Sequence, residues 1–244
     1  MAGSAGRVEA GAILSAAWSL FVWNVVELVS VVAVVYSPYI AYVLLRGAGG
    51  HRFEASLPVL LAVILSPVAT AACTWTVLQR QVGRRVGVGE AVRHGLTNLG
   101  TYVGVGVVAG LVVAGGLLLL IVPGLIAACA LLVAAPAAVV EGTDVRDALR
   151  RSVELTRDHR VDILWAMLAI AAVGLLVQGA LHLLLGAFDL TDTRVGALFT
   201  HVLTQVVVQA LMSTAAVVVY GTLRALKEGT SPDDLVGALD GPAR

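Results

Sequence analysis

Apolar residues run along this chain in six long blocks separated by short polar connections. A helix needs about 20 apolar residues to cross a hydrocarbon core about 30 Å thick at about 1.5 Å per residue. The blocks run from Leu20 to Leu45, Leu57 to Gln79, Thr101 to Val122, Gly124 to Val140, Ile163 to Leu185 and Ala197 to Leu223. Pro123-Gly124 alone divides the third from the fourth. As one helix, residues 101–140 would extend roughly 60 Å, twice the core thickness, so a hairpin turning at Pro123-Gly124 is predicted. The fourth block is short, and a re-entrant segment stays open for it. Ser37-Pro38 and Ser66-Pro67 predict kinks in the first and second blocks. The predicted fold class is all-α: a polytopic membrane protein with six transmembrane helices in three hairpins.

A short amphipathic segment precedes each pair of blocks, at residues 11–20, 90–99 and 147–156. Ala12, Ala91 and Ala148 align, and Ala16, Gly95 and Ser152 follow four residues later, which puts both small positions on one helix face. The chain therefore reads as three copies of one unit, an interfacial helix followed by a membrane hairpin. In the third copy Thr143 or Asp144 caps a helix. Its apolar face is Val145, Ala148, Leu149, Ser152 and Val153, with Arg146, Arg150, Arg151 and Arg157 elsewhere. Such a helix belongs at the headgroup layer, with those four arginines towards anionic lipid or a partner. Residues 1–229 form a single membrane domain in this reading and residues 230–244 a short cytoplasmic tail.

Composition agrees. Hydrophobic residues make up 59% of the 244, charged residues 13%, and mean hydropathy is +0.92. Ordinary soluble domains hold roughly 45–50% apolar and about 25% charged residues, so a soluble enzyme is excluded. Sixteen basic residues balance 16 acidic ones, which removes the electrostatic case for nucleic acid. The basic residues are unevenly placed. Arg46, Arg52 and Arg194 fall on one side of the six blocks, and the other 13 of the 16 fall on the opposite side. Basic residues favour the cytoplasmic side, so both termini are expected there. No convincing cleavage site follows Arg7.

Candidate chemistry is sparse. Cys73 and Cys129 lie inside apolar blocks without metal-ligand spacing, so no metal and no cofactor are expected. Glu27 lies three residues after Asn24 in the first block; Gln178 and His182 share a face of the fifth; His201, Gln205 and Gln209 share a face of the sixth. A mid-bilayer charge costs about 2.5–3.5 kcal/mol, so Glu27 should face the bundle. Asn24, Glu27, Gln178, His182 and Gln205 form either a polar track for a proton or small solute, or interhelical hydrogen bonds worth about 0.6 kcal/mol each; packing is the preferred reading. Gly100/Gly104 and Gly106/Gly110 are GxxxG pairs, read as a dimer face or, preferably, as a central helix of the bundle. GAGGHRF (47–53) reads as a flexible loop on the basic-poor side. Catalytic signatures are missing, and no enzyme is expected.

One stretch carries a resemblance. An apolar helix with Pro136, then Glu141-Gly142, then Ala148, Leu149, Arg151, Ser152, Leu155 and Thr156 resembles the bacterial and archaeal membrane-domain family named after glycerophosphoryl diester phosphodiesterases. The IVPGL turn (121–125) and VVVYGTLRALKEG (217–229), with Tyr220 and Arg224, extend it over nearly the whole chain. The resemblance implies six helices in a bacterial or archaeal cytoplasmic membrane. It does not imply hydrolysis, which in enzymatic relatives belongs to a separate soluble barrel of about 250 residues. The expected role is that of a non-catalytic integral inner-membrane protein, organising or regulatory, contacting anionic lipid, a second copy or a membrane partner. The alternative is a small-solute or proton-coupled transporter or channel using the intramembrane polar residues.

Overall fold

The computed structural model describes residues 10–48, 56–187, 194–231 and 234–237. Most of the 47–53 loop and the end of the tail lie outside these. The described residues form helices and no strand: α1 (Ala10–Trp23), α2 (Val25–Val35), α3 (Ser37–Ala48), α4 (Ser56–Gln81), α5 (Val88–Thr97), α6 (Leu99–Leu119), α7 (Ile121–Leu131), α8 (Ala134–Glu141), α9 (Val145–Thr156), α10 (Arg160–Ala187) and α11 (Arg194–Glu228). The protein is an all-α polytopic membrane protein. Spans of sufficient length and apolarity are Leu60–Gln81, Leu99–Leu119, Ile121–Glu141, Arg160–Ala187 and Phe199–Glu228. Uninterrupted apolar sequence fixes each of them, because a backbone in lipid must satisfy its hydrogen bonds within the helix.

The first apolar block is not one straight helix. Residues 20–23 belong to α1, and the chain bends by 81° between α1 and α2. Asn24 makes the bend: its side-chain amide donates to the Leu20 carbonyl (2.9 Å), and its own carbonyl starts α2 by accepting from Leu28 N–H (2.9 Å). From there α2 and α3 run the length of the bundle. Glu27 meets Arg80 at the end of α4, and Tyr39 meets His201 near the start of α11. The break between α2 and α3 falls at Tyr36, just before Ser37-Pro38, whereas α4 continues through Pro67.

The hairpin between the third and fourth spans turns at Leu120 (φ −163°, ψ 147°), not at Pro123-Gly124. A first-turn proline needs no N–H, so α7 simply begins before Pro123. Gly124 serves the packing instead: a Cβ on Gly116 would lie 2.8 Å from the Gly124 Cα. The fourth span breaks again at Leu132–Val133, ahead of Pro136, but α7 and α8 together reach 21 residues. That is long enough to cross.

Burial sorts the spans into layers. The most apolar window is 56% buried inside the chain in α4, 44% in α7–α8 and 67% in α11, against 11% in both α6 and α10. The second spans of the three hairpins, α4, α8 and α11, touch one another at the centre, with α6 and α10 outside. The short helices α1, α5 and α9 gather at one end. There α5 sits on α4, α9 on α7 and α8, and α1 on α11 and α10. Each therefore covers the second span of the preceding hairpin, and α1 closes the ring on the third. Small residues permit the approach: a Cβ on Gly95 would stand 3.1 Å from both the Ala72 Cβ and the Val68 carbonyl oxygen.

Two finer expectations need correction. Ala91/Gly95 and Ala148/Ser152 are buried as aligned, but α1 exposes Ala12 and Ala16 and buries Ile13, Ala17 and Phe21. The first copy is thus rotated by one residue, because Ile13 and Phe21 bury more apolar surface than alanines. The glycine-rich α6 is an outer helix rather than the central one. Its Gly104 admits Val145 of α9 and its Gly106 admits Pro67 of α4, so these glycines serve contacts within the chain.

Candidate functional site

The conspicuous motif of the chain, residues 136–156, folds around the broken fourth span. The break leaves the Ala130 carbonyl open to side chains. Ser152 Oγ donates to it at 2.7 Å, and Thr156 Oγ1, which donates to the Ser152 carbonyl at 2.8 Å, lies 3.4 Å from the Ala130 oxygen. Both hydroxyls are buried. Gly142 ends α8 in the left-handed region (φ 59°), with its N–H on the Ala138 carbonyl; a glycine is favoured there because a side chain at positive φ is strained. Asp144 occupies the N-cap position of α9 but makes no side-chain cap bond.

Glu141, left at the end of α8 by that turn, is the hub of an ionic network. Arg151 Nε donates to its two oxygens at 2.9 and 3.1 Å, and Tyr220 Oη donates at 3.1 Å. Arg151 also pairs with Glu228, which binds Arg224 Nε at 2.8 Å. Arg224 in turn donates to Tyr220 Oη at 3.2 Å and lies over its ring. Two arginines and two glutamates thus balance around one tyrosine, locking α8, α9 and α11 together. Burial disfavours the Arg151 cation, but hydrogen bonds and charges from Glu141 and Glu228 outweigh it and hold the guanidinium above its ordinary range. Lys227 adds a second tie, donating to the Glu154 carbonyl (2.9 Å) and to Asp158 (2.8 Å). That ammonium holds the Asp158 carboxyl below its ordinary value.

This places the four arginines of the amphipathic helix differently from one another. Arg151 faces inward, in the network. Arg150 is exposed beside Asp147 (3.8 Å) and Glu154 (3.6 Å), and Arg146 and Arg157 are exposed. The buried face of α9 is Ala148, Ser152, Leu155 and Thr156, with Leu149 partly buried and Val153 turned outward.

The five residues of the candidate polar track are not brought together. Asn24 and Glu27 lie at the helix-capped end, Gln178 and His182 are exposed on outer helix α10, and Gln205 stands apart on α11. Gln205 does line a cleft of about 520 Å³ among the inner spans, near their midpoints, with Tyr36, Ser66, Thr70, Gln209 and Ser213. Gln209 donates to Ser66 Oγ (3.1 Å), and Thr70 and Ser213 share a hydrogen bond (3.2 Å). None of the residues lining the cleft is charged. Among the described residues no group of acidic, His or Cys side chains could hold a metal, and both cysteines are free and buried.

Sequence reasoning missed Glu228 and Lys227. Glu228 was visible as the i+4 partner of Arg224; the tie from Lys227 to α9 depends on tertiary contact and left no local signal. It also missed His94, whose ring stacks on Trp75 at 5.1 Å and whose burial pushes its pKa below the ordinary value. Residues 9–226 match the family described as a domain of unknown function, DUF7847. The chain belongs to that family. The match takes in the bent α1–α2 pair, the first four spans, the fifth as far as residue 226, and Glu141, Arg151, Tyr220 and Arg224 of the ionic network of this DUF7847 chain. No curated protein and no solved structure matches the chain.

Proposed function

We propose that this is a non-catalytic integral protein of a bacterial or archaeal cytoplasmic membrane, with both termini cytoplasmic, whose ring of cap helices organises anionic lipid at that face. The observation that carries the reading is the network of Glu141, Arg151, Tyr220, Arg224 and Glu228. It neutralises its own charges and fixes α9, which leaves Arg146, Arg150 and Arg157 displayed around a docked helix. The same residues carry the resemblance to glycerophosphoryl diester phosphodiesterase membrane domains, and that kinship is part of the proposal. Basic residues near an anionic leaflet contribute about 1 kcal/mol each; Asp147 and Glu154 reduce the share of Arg150. The test is the association of spin-labelled phosphatidylglycerol relative to phosphatidylcholine with the protein in bilayers. The ratio should exceed one and fall towards one in the triple variant Arg146→Gln, Arg150→Gln, Arg157→Gln. A ratio of one for the unmodified protein would overturn the proposal.

The central cleft favours a second reading, passage of a small uncharged solute. Its volume falls in the range of small-molecule sites, and Gln205 offers an amide to it. Solute-driven swelling of proteoliposomes above that of empty vesicles, abolished by Gln205→Leu, would favour this reading over the first.

A further inference from the structure

A second cleft, of about 650 Å³, opens at the helix-capped end where the bend before α2, the end of α4 and the start of α5 meet. Glu27, Arg80 and Arg85 line it together with Gly87 and Val88. Arg80 and Glu27 are paired through one atom each. Arg80 Nε and Glu27 Oε1 are buried and have no hydrogen-bond partner among the described residues. Arg85 is exposed and makes no hydrogen bond or ion pair among the described residues. Helix α5 starts at the same wall, with Gly87 at its N-cap and no side-chain cap; Glu90 N–H bonds the Gly87 carbonyl, which leaves the Val88 and Gly89 N–H groups as the uncapped donors of the first turn. The rim is apolar: Trp23 is 86% and Val26 79% exposed.

We propose that this cleft binds the headgroup of one anionic glycerophospholipid, its phosphodiester on Arg85 and the start of α5 and its acyl chains along Trp23 and Val26. Charge selects the class. Two arginines and one glutamate leave a single positive charge, which one phosphodiester neutralises. Glu27 Oε1 is an unpartnered acceptor buried in the wall of the cleft; a glycerol headgroup brings hydroxyl donors to that wall and a choline headgroup brings none. Trp23 at the rim suits the headgroup level, where tryptophan is enriched. The inference rests on the proposed lipid-facing role of this end and assigns it a specific site.

Native mass spectrometry of the intact protein, with phosphatidylglycerol, phosphatidylcholine or water-soluble glycerol 3-phosphate added, tests it. One phosphatidylglycerol should be retained, phosphatidylcholine at least about tenfold less. Arg85→Gln should lower retention about tenfold and Arg85→Lys less, since the charge remains. Arg85 makes no hydrogen bond or ion pair among the described residues, so these variants should fold; circular dichroism and a monodisperse elution profile check it. Unchanged retention in Arg85→Gln, or equal retention of phosphatidylcholine, would overturn the site. Competition by glycerol 3-phosphate at equal concentration would overturn the lipid assignment, because the chains would then add nothing. The triple α9 variant should keep the adduct while losing bulk lipid selectivity. In the unmodified protein, lack of the adduct with selectivity intact sinks this inference alone, and absence of selectivity with the adduct present sinks the proposed function alone.

Discussion

Removing the Glu141 carboxylate should disable the ionic network as a whole. Glu141 accepts from Arg151 and Tyr220, and Arg224 approaches within 3.8 Å. The side chains of Glu141, Arg151, Arg224 and Glu228 are 16–28% exposed, so screening is partial. A hydrogen bond to a charged group contributes about 1.5–3 kcal/mol, against roughly 0.5–1.5 for a neutral one. Glu141→Gln keeps the shape and an acceptor but loses the charge, and should cost about 2 kcal/mol. Glu141→Ala also leaves the Tyr220 hydroxyl and Arg151 Nε without that acceptor, and should cost about 3 kcal/mol, the lower end of the range for breaking a buried pair. Unfolding in mixed detergent micelles with increasing dodecyl sulfate, followed by tryptophan fluorescence, measures both. A double-mutant cycle with Arg151→Gln should return a coupling of about 1–2 kcal/mol. Glu141→Ala within about 0.5 kcal/mol of the unmodified protein would refute the network's structural role, and so would a coupling near zero.

Ser152→Ala should cost about 1 kcal/mol in the same assay, because the Ala130 carbonyl loses its 2.7 Å bond and only the Thr156 hydroxyl, 3.4 Å away, remains near it; no change would mean the broken span needs no support from α9. At Gly95, alanine should be nearly neutral, its helix propensity offsetting tight contact, whereas leucine should cost about 2 kcal/mol by lifting α5 off Ala72 and Val68. Equal effects of the two would contradict close packing there. His94 supplies a pH dependence. Its pKa is depressed in the folded protein, so below the ordinary value of about 6.5 the unfolded chain binds the extra proton and stability falls as pH drops towards the folded pKa. His94→Phe should remove that part of the decline in unfolding temperature between pH 7 and 5.5, and an identical decline in the variant would refute it.

Five spans were legible because lipid solvation demands long unbroken apolar runs, a signal that survives every detail of packing; the first apolar block folds instead as α1 to α3, bent by 81° between α1 and α2. Their ends were less legible. Pro123 pointed to a turn that occurs at Leu120, since a proline marks the first turn of a helix as readily as the break before it. Glu27 read as a mid-bilayer charge because the bend at Asn24 was invisible in an apolar run; once the chain turns there, Glu27 lies in the first turn of α2 beside Arg80. Of the site, Glu141, Arg151, Ser152, Tyr220 and Arg224 were all present as a pattern, but their convergence was not. It depends on α11 returning beside α9, a contact between residues about 70 apart that no periodicity encodes. The rotation of α9, which hides Leu155 and shows Val153, follows from the same docking.

Nitroxide accessibility on α9 tests the central claim that the helix-capped end lies in an anionic headgroup layer. Labels at positions 146, 153 and 155 are read in nanodiscs containing phosphatidylglycerol, against oxygen dissolved in lipid and a water-soluble nickel chelate. Leu155 is 1% exposed and Val153 36% exposed. The label at 146 should meet the nickel reagent, that at 153 should meet oxygen far more than nickel, and that at 155 should meet neither. Strong nickel exposure at both 146 and 153 would place the cap helices in bulk water and contradict the account.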